Sequence, residues 1–278
     1  MDPWGRKMSK SLGNGIDADS VLECGAGGRT GSWKVKGPEK TVNLKANKIG
    51  SECFRLWKAC DAQVGDDFHI NPEEIEQRYF GVLTKLFNVA RFASQFDVPD
   101  NLESQPGNLN IEDEWILHEF NSVLLEVGEA WSNLDIYTAT QALKSFGTGI
   151  LPSHYLEMVK SRLYDGDLNA AWTIHRIVRD FMSAFSPICP FFSHHISSTI
   201  YGQSAVDVDS FPSNPLGKQY DENRNDYLRS KTNDIQSFNG EIWSNKKENG
   251  ISLNQPISGV TIPENLKEFT EILTSMHS

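Results

Sequence analysis

The chain has 278 residues, 38% of them hydrophobic and 23% charged, and a formal net charge of −11. That length supports a sizeable core in one large domain or two to three small ones. The acidic balance argues against a generic nucleic-acid binder. No apolar run reaches the roughly 18 residues of a membrane helix, and the polar, basic N-terminus lacks a secretory h-region, so a cytoplasmic protein is expected.

Residues 1–23 begin with a glycine-flanked polar loop, Lys7-Met8-Ser9-Lys10-Ser11, between Gly5-Arg6 and Gly13-Asn14-Gly15. Lysine ammonium groups and backbone N–H groups on such a loop can stabilise charge on phosphate oxygens without proton transfer. Glycines let the backbone approach and move. The stretch GAGGRTGSWKVKGPEKT, from Gly25 to Thr41, predicts glycine turns and a short hairpin. SECFRLWKAC has helical spacing at Phe54, Leu56-Trp57 and Cys60.

From residue 71 the pattern is helical. Asn71-Pro72-Glu73-Glu74 reads as an N-cap, a proline at the first position and a glutamate at the third. Ile75, Tyr79, Val82, Leu86, Val89, Ala93 and Phe96 then mark one apolar face, and Val98-Pro99-Asp100 ends it. After the polar linker NLESQPGN a second helix starts near Asn110, with Trp115, Leu117, Phe120, Leu124, Val127 and Trp131 as its stripe. A break at Ser132-Asn133 precedes Asp135, a cap for a helix that ends at Gly147-Thr148-Gly149. Pro152 opens a short helix through Tyr164. Asp167 caps the next, with Leu168, Ala171, Trp172, Ile174, Val178, Phe181, Met182 and Phe185 facing inward. SPICPFFSHHISSTIYG is a proline-initiated apolar helix, and residues 221–248 form a last polar one. ISLNQPISGVTIPENLKEFTEIL alternates like a short strand, then turns helical from Pro263.

This pattern predicts a mainly α protein, an antiparallel helical bundle after a small mixed loop/α/β region. The expected division is 1–70, 71–240 for the bundle, and 241–278 as an extension. Cys24, Cys53, Cys60 and Cys189 fit no zinc or disulfide spacing and read as buried thiols. Trp115, Trp131 and Trp172 read as core and His175 as packed. His194-His195 lacks further ligands at suitable spacing, so no metal site is expected.

The charge is uneven. Residues 24–58 carry eight basic side chains against two acids, whereas residues 72–240 carry 12 against 23. Arg29, Lys34, Lys36 and Lys40 are therefore candidates for phosphate contact, with a solubilising surface hairpin as the plain alternative.

Lys7-Met8-Ser9-Lys10-Ser11 with its flanks resembles the second signature of the class I aminoacyl-tRNA synthetases. The likeness continues through Phe54-Arg55-Leu56-Trp57, the run from Asp61 to Phe68, Leu86 to Phe92, SAFSPICPFFSHHISSTIYG, and Lys246 to Pro256. Together these cover nearly the whole chain in the order of the valyl enzymes, the isoleucyl ones being close relatives. The insertion from Gly25 to Gly50 looks archaeal rather than bacterial. The resemblance implies a C-terminal portion of such a ligase. Lys10 and Lys7 would be the catalytic lysines, Lys7 to Ser11 the ATP loop, and the bundle an anticodon-binding domain. ATP would bring its own Mg2+, and tRNA(Val) and valine would be the partners. The first signature, His-x-Gly-His, is expected upstream, so the chain alone is not expected to be active. A stand-alone tRNA-binding module is the alternative.

Overall fold

The computed structural model describes residues 1–24, 29–61, 65–205, 211–253, 255–257 and 259–277. The glycines expected to turn at 25–28, together with residues 62–64 and 254 of the resembling stretches, lie outside the described residues. Most of the chain is helical, and the sheet among the described residues has two strands. The chain forms two units. One comprises residues 1–88, 127–144 and 182–209, the other 89–126, 145–181 and 210–278.

In the first unit, helix α1 (Ala18–Glu23) is capped by Asp17, whose carboxylate accepts the Ser20 N–H. Strands β1 (Gly31–Lys36) and β2 (Thr41–Ala46) pair antiparallel, with Trp33 opposite Leu44 and Lys34 opposite Asn43. The expected hairpin is present, and its second strand runs five residues beyond Thr41. Strand alternation puts Trp33, Val35, Leu44 and Ala46 inward and leaves the lysines outside. Helix α2 (Gly50–Asp61) buries Cys53, Leu56, Trp57 and Cys60. The four cysteines are free and buried, as their spacing implied.

Helix α3 (Pro72–Ile75) starts as read: Asn71 accepts the Glu73 N–H, and its amide bonds Glu74. The ladder continues through a π turn (Glu76–Phe80) into α4 (Gly81–Ala93). Glu73 accepts the Lys45 N–H, and Glu76 accepts those of Asn47 and Lys48, so the end of β2 is satisfied by this helix start. Helix α9 (Pro190–Tyr201) stops at Gly202 in the left-handed region.

Helices α5 (Ile111–Ser132), α6 (Ile136–Ser145), α7 (Leu156–Tyr164) and α8 (Leu168–Phe185) follow the expected order. Five local readings are corrected. Gly147-Thr148-Gly149 does not stop a helix and Pro152 does not start one. Both lie in a π stretch, Phe146–Tyr155, joining α6 to α7. Burial of Phe146, Leu151, His154 and Tyr155 carries the chain through, and π turns accommodate what an α ladder would not. The last polar helix is two, α10 (Glu222–Ser230) and α11 (Thr232–Glu248), because the ladder tightens at Lys231 (φ −83°, ψ −15°), whose N–H bonds Leu228 O, and Thr232 then turns its hydroxyl into the core. That hydroxyl donates to Glu119 (2.6 Å) and accepts the Trp115 indole N–H (2.9 Å). The described residues of 251–262 form no strand. Their backbone bonds elsewhere, Ile251 N–H to Lys246 O and Ile257 N–H to His277 O. A 3-10 turn (Glu264–Phe269) leads into α12 (Thr270–His277). Leu168, expected inside, is the first residue of α8 and is 78% exposed.

The second unit's core centres on Trp115, Phe120, Tyr155, Phe181 and Phe269. Phe120 stacks on Phe146 at 5.2 Å, and Trp115 meets Phe269 edge-on. His175 is buried there as expected, its Nε2 3.1 Å from Phe96 O. Beneath α5, Arg162 bridges Glu112, Asp113 and Asp167, and the Tyr155 hydroxyl donates to Asp113 (2.8 Å).

Candidate functional site

The Lys7–Ser11 loop is held from below by two buried side chains. Asn14 accepts the Ser9 N–H (2.9 Å) and donates to Lys7 O (3.1 Å) and to Asp2 Oδ2 (2.9 Å). One amide thus fixes the backbone on both sides of Met8. Asp2 accepts N–H bonds from Trp4 and Arg6 and an ion pair from the Arg6 guanidinium (2.7 Å). Burial works to raise the Asp2 carboxyl. The bonds from the Arg6 N–H, the Asn14 amide, the Arg6 side chain and the Trp4 N–H outweigh it and hold it down at about 2. Asp2 is therefore an anion throughout the physiological range and keeps its donors.

Gly5 (φ 78°) and Gly13 (φ 64°) sit at the two ends of the loop, in the left-handed region where a side chain would be strained. The hairpin then braces it: Lys36 N–H donates to Gly13 O (3.1 Å), and Arg6 donates to Lys36 O. Ser9 and Ser11 hydroxyls are 3.1 Å apart, and Ser9 Oγ accepts the Leu12 N–H. Lys7 and Lys10 are exposed and make no ion pair among the described residues. Met8 is half-buried. The result is a hydrogen-bonded base carrying two ammonium groups without an ion-pair partner among the described residues.

The hairpin's outer face joins Ser32, Lys34 and Lys36 on β1 to Thr41, Asn43 and Lys45 on β2. Three lysines and no acid occupy it. Lys40 is exposed in the turn beside Glu39, and Arg29 is spent on an exposed ion pair with Glu23 (3.0 Å). The structure thus brings Lys34 and Lys36 together and adds Lys45, whose place follows from register with β1. Arg29 is not part of that set.

In the second unit Phe92, Phe96 and Tyr164 form an edge-to-face cluster. Phe92–Phe96 is 5.2 Å, Phe96–Tyr164 5.5 Å and Phe92–Tyr164 6.3 Å. Tyr164 is 61% exposed and ends α7. Residues 96–102 are tied to α8 by His175 to Phe96 O and by the Trp172 indole N–H to Asn101 O (3.1 Å). Reading the helices one at a time does not reveal this cluster, because Tyr164 comes from a different helix than Phe92.

Residues 113–262 match the family described as the anticodon-binding domain of tRNA ligase. The chain belongs to that family. The relatives it matches are valine–tRNA ligases. That of Saccharolobus solfataricus is 30% identical over 259 residues, 93% of this chain and 27% of the relative. That of Aeropyrum pernix is 30% identical over the whole chain and 31% of its own length. The Nanoarchaeum equitans protein is 26% identical over the whole chain and 32% of itself. The chain therefore spans about 27–32% of the length of these relatives. The resemblance to the valyl branch and the helical class both stand. No group of His, Cys, Asp or Glu suited to holding a metal ion occurs among the described residues, and no helix there is long and apolar enough to cross a membrane.

Proposed function

We propose that this chain is a C-terminal portion of a cytoplasmic valine–tRNA ligase, carrying the ATP loop and the tRNA-binding helices. The observation that carries the reading is the Lys7–Ser11 loop, pinned by Asn14 and Asp2 with both lysines free, in a chain of the anticodon-binding family. In the reaction of such a ligase the valine carboxylate attacks the α-phosphorus of ATP and pyrophosphate leaves. Negative charge grows on the leaving oxygens. Lys10 and Lys7 neutralise it electrostatically, with the Ser9 and Ser11 hydroxyls and Met8 shaping the loop. Mg2+ comes with the nucleotide. The adenylate's acyl group then passes to tRNA(Val).

The tRNA follows two further features. Lys34, Lys36 and Lys45 on the hairpin face, with Lys40 in its turn, hold its phosphates without reading sequence, and Arg29 joins if its pair with Glu23 opens. The Phe92–Phe96–Tyr164 cluster offers ring faces to unstacked bases, the usual way single-stranded RNA is read. The test has two parts. The pure chain binds tRNA(Val) on filters and gives no valine-dependent ATP–pyrophosphate exchange, since orientation of ATP and amino acid needs the rest of the pocket. Exchange at the rate of a full-length ligase would refute the portion reading. Absence of tRNA binding would refute the interface.

A further inference from the structure

Helix α5 ends in a turn closed by two backbone bonds, Leu134 N–H to Trp131 O (3.0 Å) and Asp135 N–H to Ala130 O (2.8 Å). This is the helix stop whose left-handed position is normally glycine. Here it is Leu134, at φ 57°, the one non-glycine with positive φ among the described residues. A β-carbon in that region clashes with the following carbonyl. Leu134 is 83% exposed, so burial does not offset the strain. Strain kept at an exposed apolar residue points to what that side chain meets outside the chain.

Leu134 stands on the lip of a groove of about 690 Å³ within the first unit. Phe54, Trp131 and Tyr137 supply ring walls, and α2 contributes Arg55 and Lys58, one turn apart on the same helix face. Arg55 donates from Nε to Ile188 O (2.8 Å) and from Nη2 to Pro187 O (3.0 Å), which fixes its guanidinium plane. Its Nη1 makes no hydrogen bond among the described residues. The volume suits a nucleotide-sized ligand. The Lys58 ammonium rests over the Phe68 ring, 3.6 Å from its centroid, and the one acid of the lining, Asp135, is engaged by the Thr138 N–H at the start of α6. Ring walls beside a fixed guanidinium and a second cation suit a planar base with its phosphate, and an acidic or apolar peptide would use only one of these two features.

We infer that this groove holds one unstacked nucleotide of tRNA. Its base lies against Trp131 and Tyr137 under Leu134, and its phosphate lies at Arg55 and Lys58. The inference rests on the tRNA-binding reading and adds a contact point apart from the signature loop, the hairpin face and the Phe92 cluster.

The test uses the whole chain and a tRNA(Val) transcript in filter-binding titrations. Leu134→Gly relieves the backbone strain and raises Tm by about 2–4 °C, yet weakens binding by about fivefold. Trp131→Ala weakens it by about tenfold or more, and Lys58→Gln flattens the plot of log affinity against log salt by roughly 0.7. The Leu134→Cys variant of the full-length enzyme reacts with a thiol reagent and is protected by added tRNA. If the parent chain binds tRNA and Leu134→Gly and Lys58→Gln bind as well as it does, the groove proposal falls alone. If the parent chain binds no tRNA, the proposal falls with the reading beneath it. If the thiol introduced by Leu134→Cys is already protected in the full-length enzyme without tRNA, the groove belongs to another polypeptide segment and the inference is overturned.

Discussion

His277 makes the second unit acid-sensitive. It is buried, its Nε2 lies 2.8 Å from Asn239 Oδ1, and the Asn239 amide lies 3.1 Å from His154 Nδ1. Burial, and secondarily the nearby Lys246 ammonium, push the imidazole down from 6.5 to about 4. The unfolded chain therefore takes up a proton between pH 6.5 and 4 that the folded chain refuses. Stability falls as pH drops through that window. At pH 5 the loss from this one group is about 2 kcal/mol, approaching about 3 kcal/mol below pH 4. Burial lowers His154, His118 and His175 too, which adds in the same direction. Burial raises Glu112, Asp113, Glu119 and Asp180, which act with the opposite sign. A difference measurement isolates His277. His277→Gln retains a donor for Asn239 but cannot titrate. In urea unfolding at about pH 7.5 and about pH 5, the parent chain should lose about 2 kcal/mol more than the variant. Parallel losses within about 0.5 kcal/mol would refute the reasoning.

Lys10→Ala in the full-length enzyme should slow adenylate formation by about 10²–10³ with valine affinity little changed. Single-turnover activation checks this, and a change confined to the valine dissociation constant would count against it. Lys34→Ala with Lys36→Ala should weaken cognate and non-cognate tRNA alike and flatten the salt plot by roughly 0.7–0.9 per lost phosphate contact. An unchanged slope would make the hairpin face a solubilising surface. Arg162→Ala should cost about 3–5 kcal/mol, read by denaturant unfolding, because Glu112 and Asp113 are buried and would lose their cation.

What could be read from the residues was local chemistry. Asn71, Asp135 and Asp167 each accept helix N–H groups as their positions implied, and Gly202 ends α9 in the left-handed region. Caps are legible because donor and acceptor lie within three residues. What failed was long-range. Gly147 to Gly149 and Pro152 carry strong local stop and start signals, but burial of Phe146, Leu151 and Tyr155 overrode them. The alternation after Ile251 looked like a strand, yet a strand needs a neighbour, and Ile257 N–H pairs with the end of α12 instead.

The same division runs through the site. Lys7 and Lys10 could be named from a motif of five residues, because the chemistry they bring is their own charge. Their usefulness depends on Asn14 and Asp2, which carry no recognisable signal. An asparagine beside two glycines reads as a turn residue, and an aspartate at position 2 reads as solvated. Only the folded chain shows Asn14 reaching Ser9, Lys7 and Asp2 at once. Lys45 illustrates the converse. As a lone lysine it was one of eight basic residues in its segment, and only the pairing of Ser32 with Lys45 sets it on the face of Lys34 and Lys36. Arg29 stands out in the sequence by its charge alone, and in the fold Glu23 neutralises it. A positive charge in a sequence becomes a phosphate contact only when the fold leaves it unpaired, exposed and beside others of its kind. By that criterion Lys34, Lys36 and Lys45 form the set to mutate first.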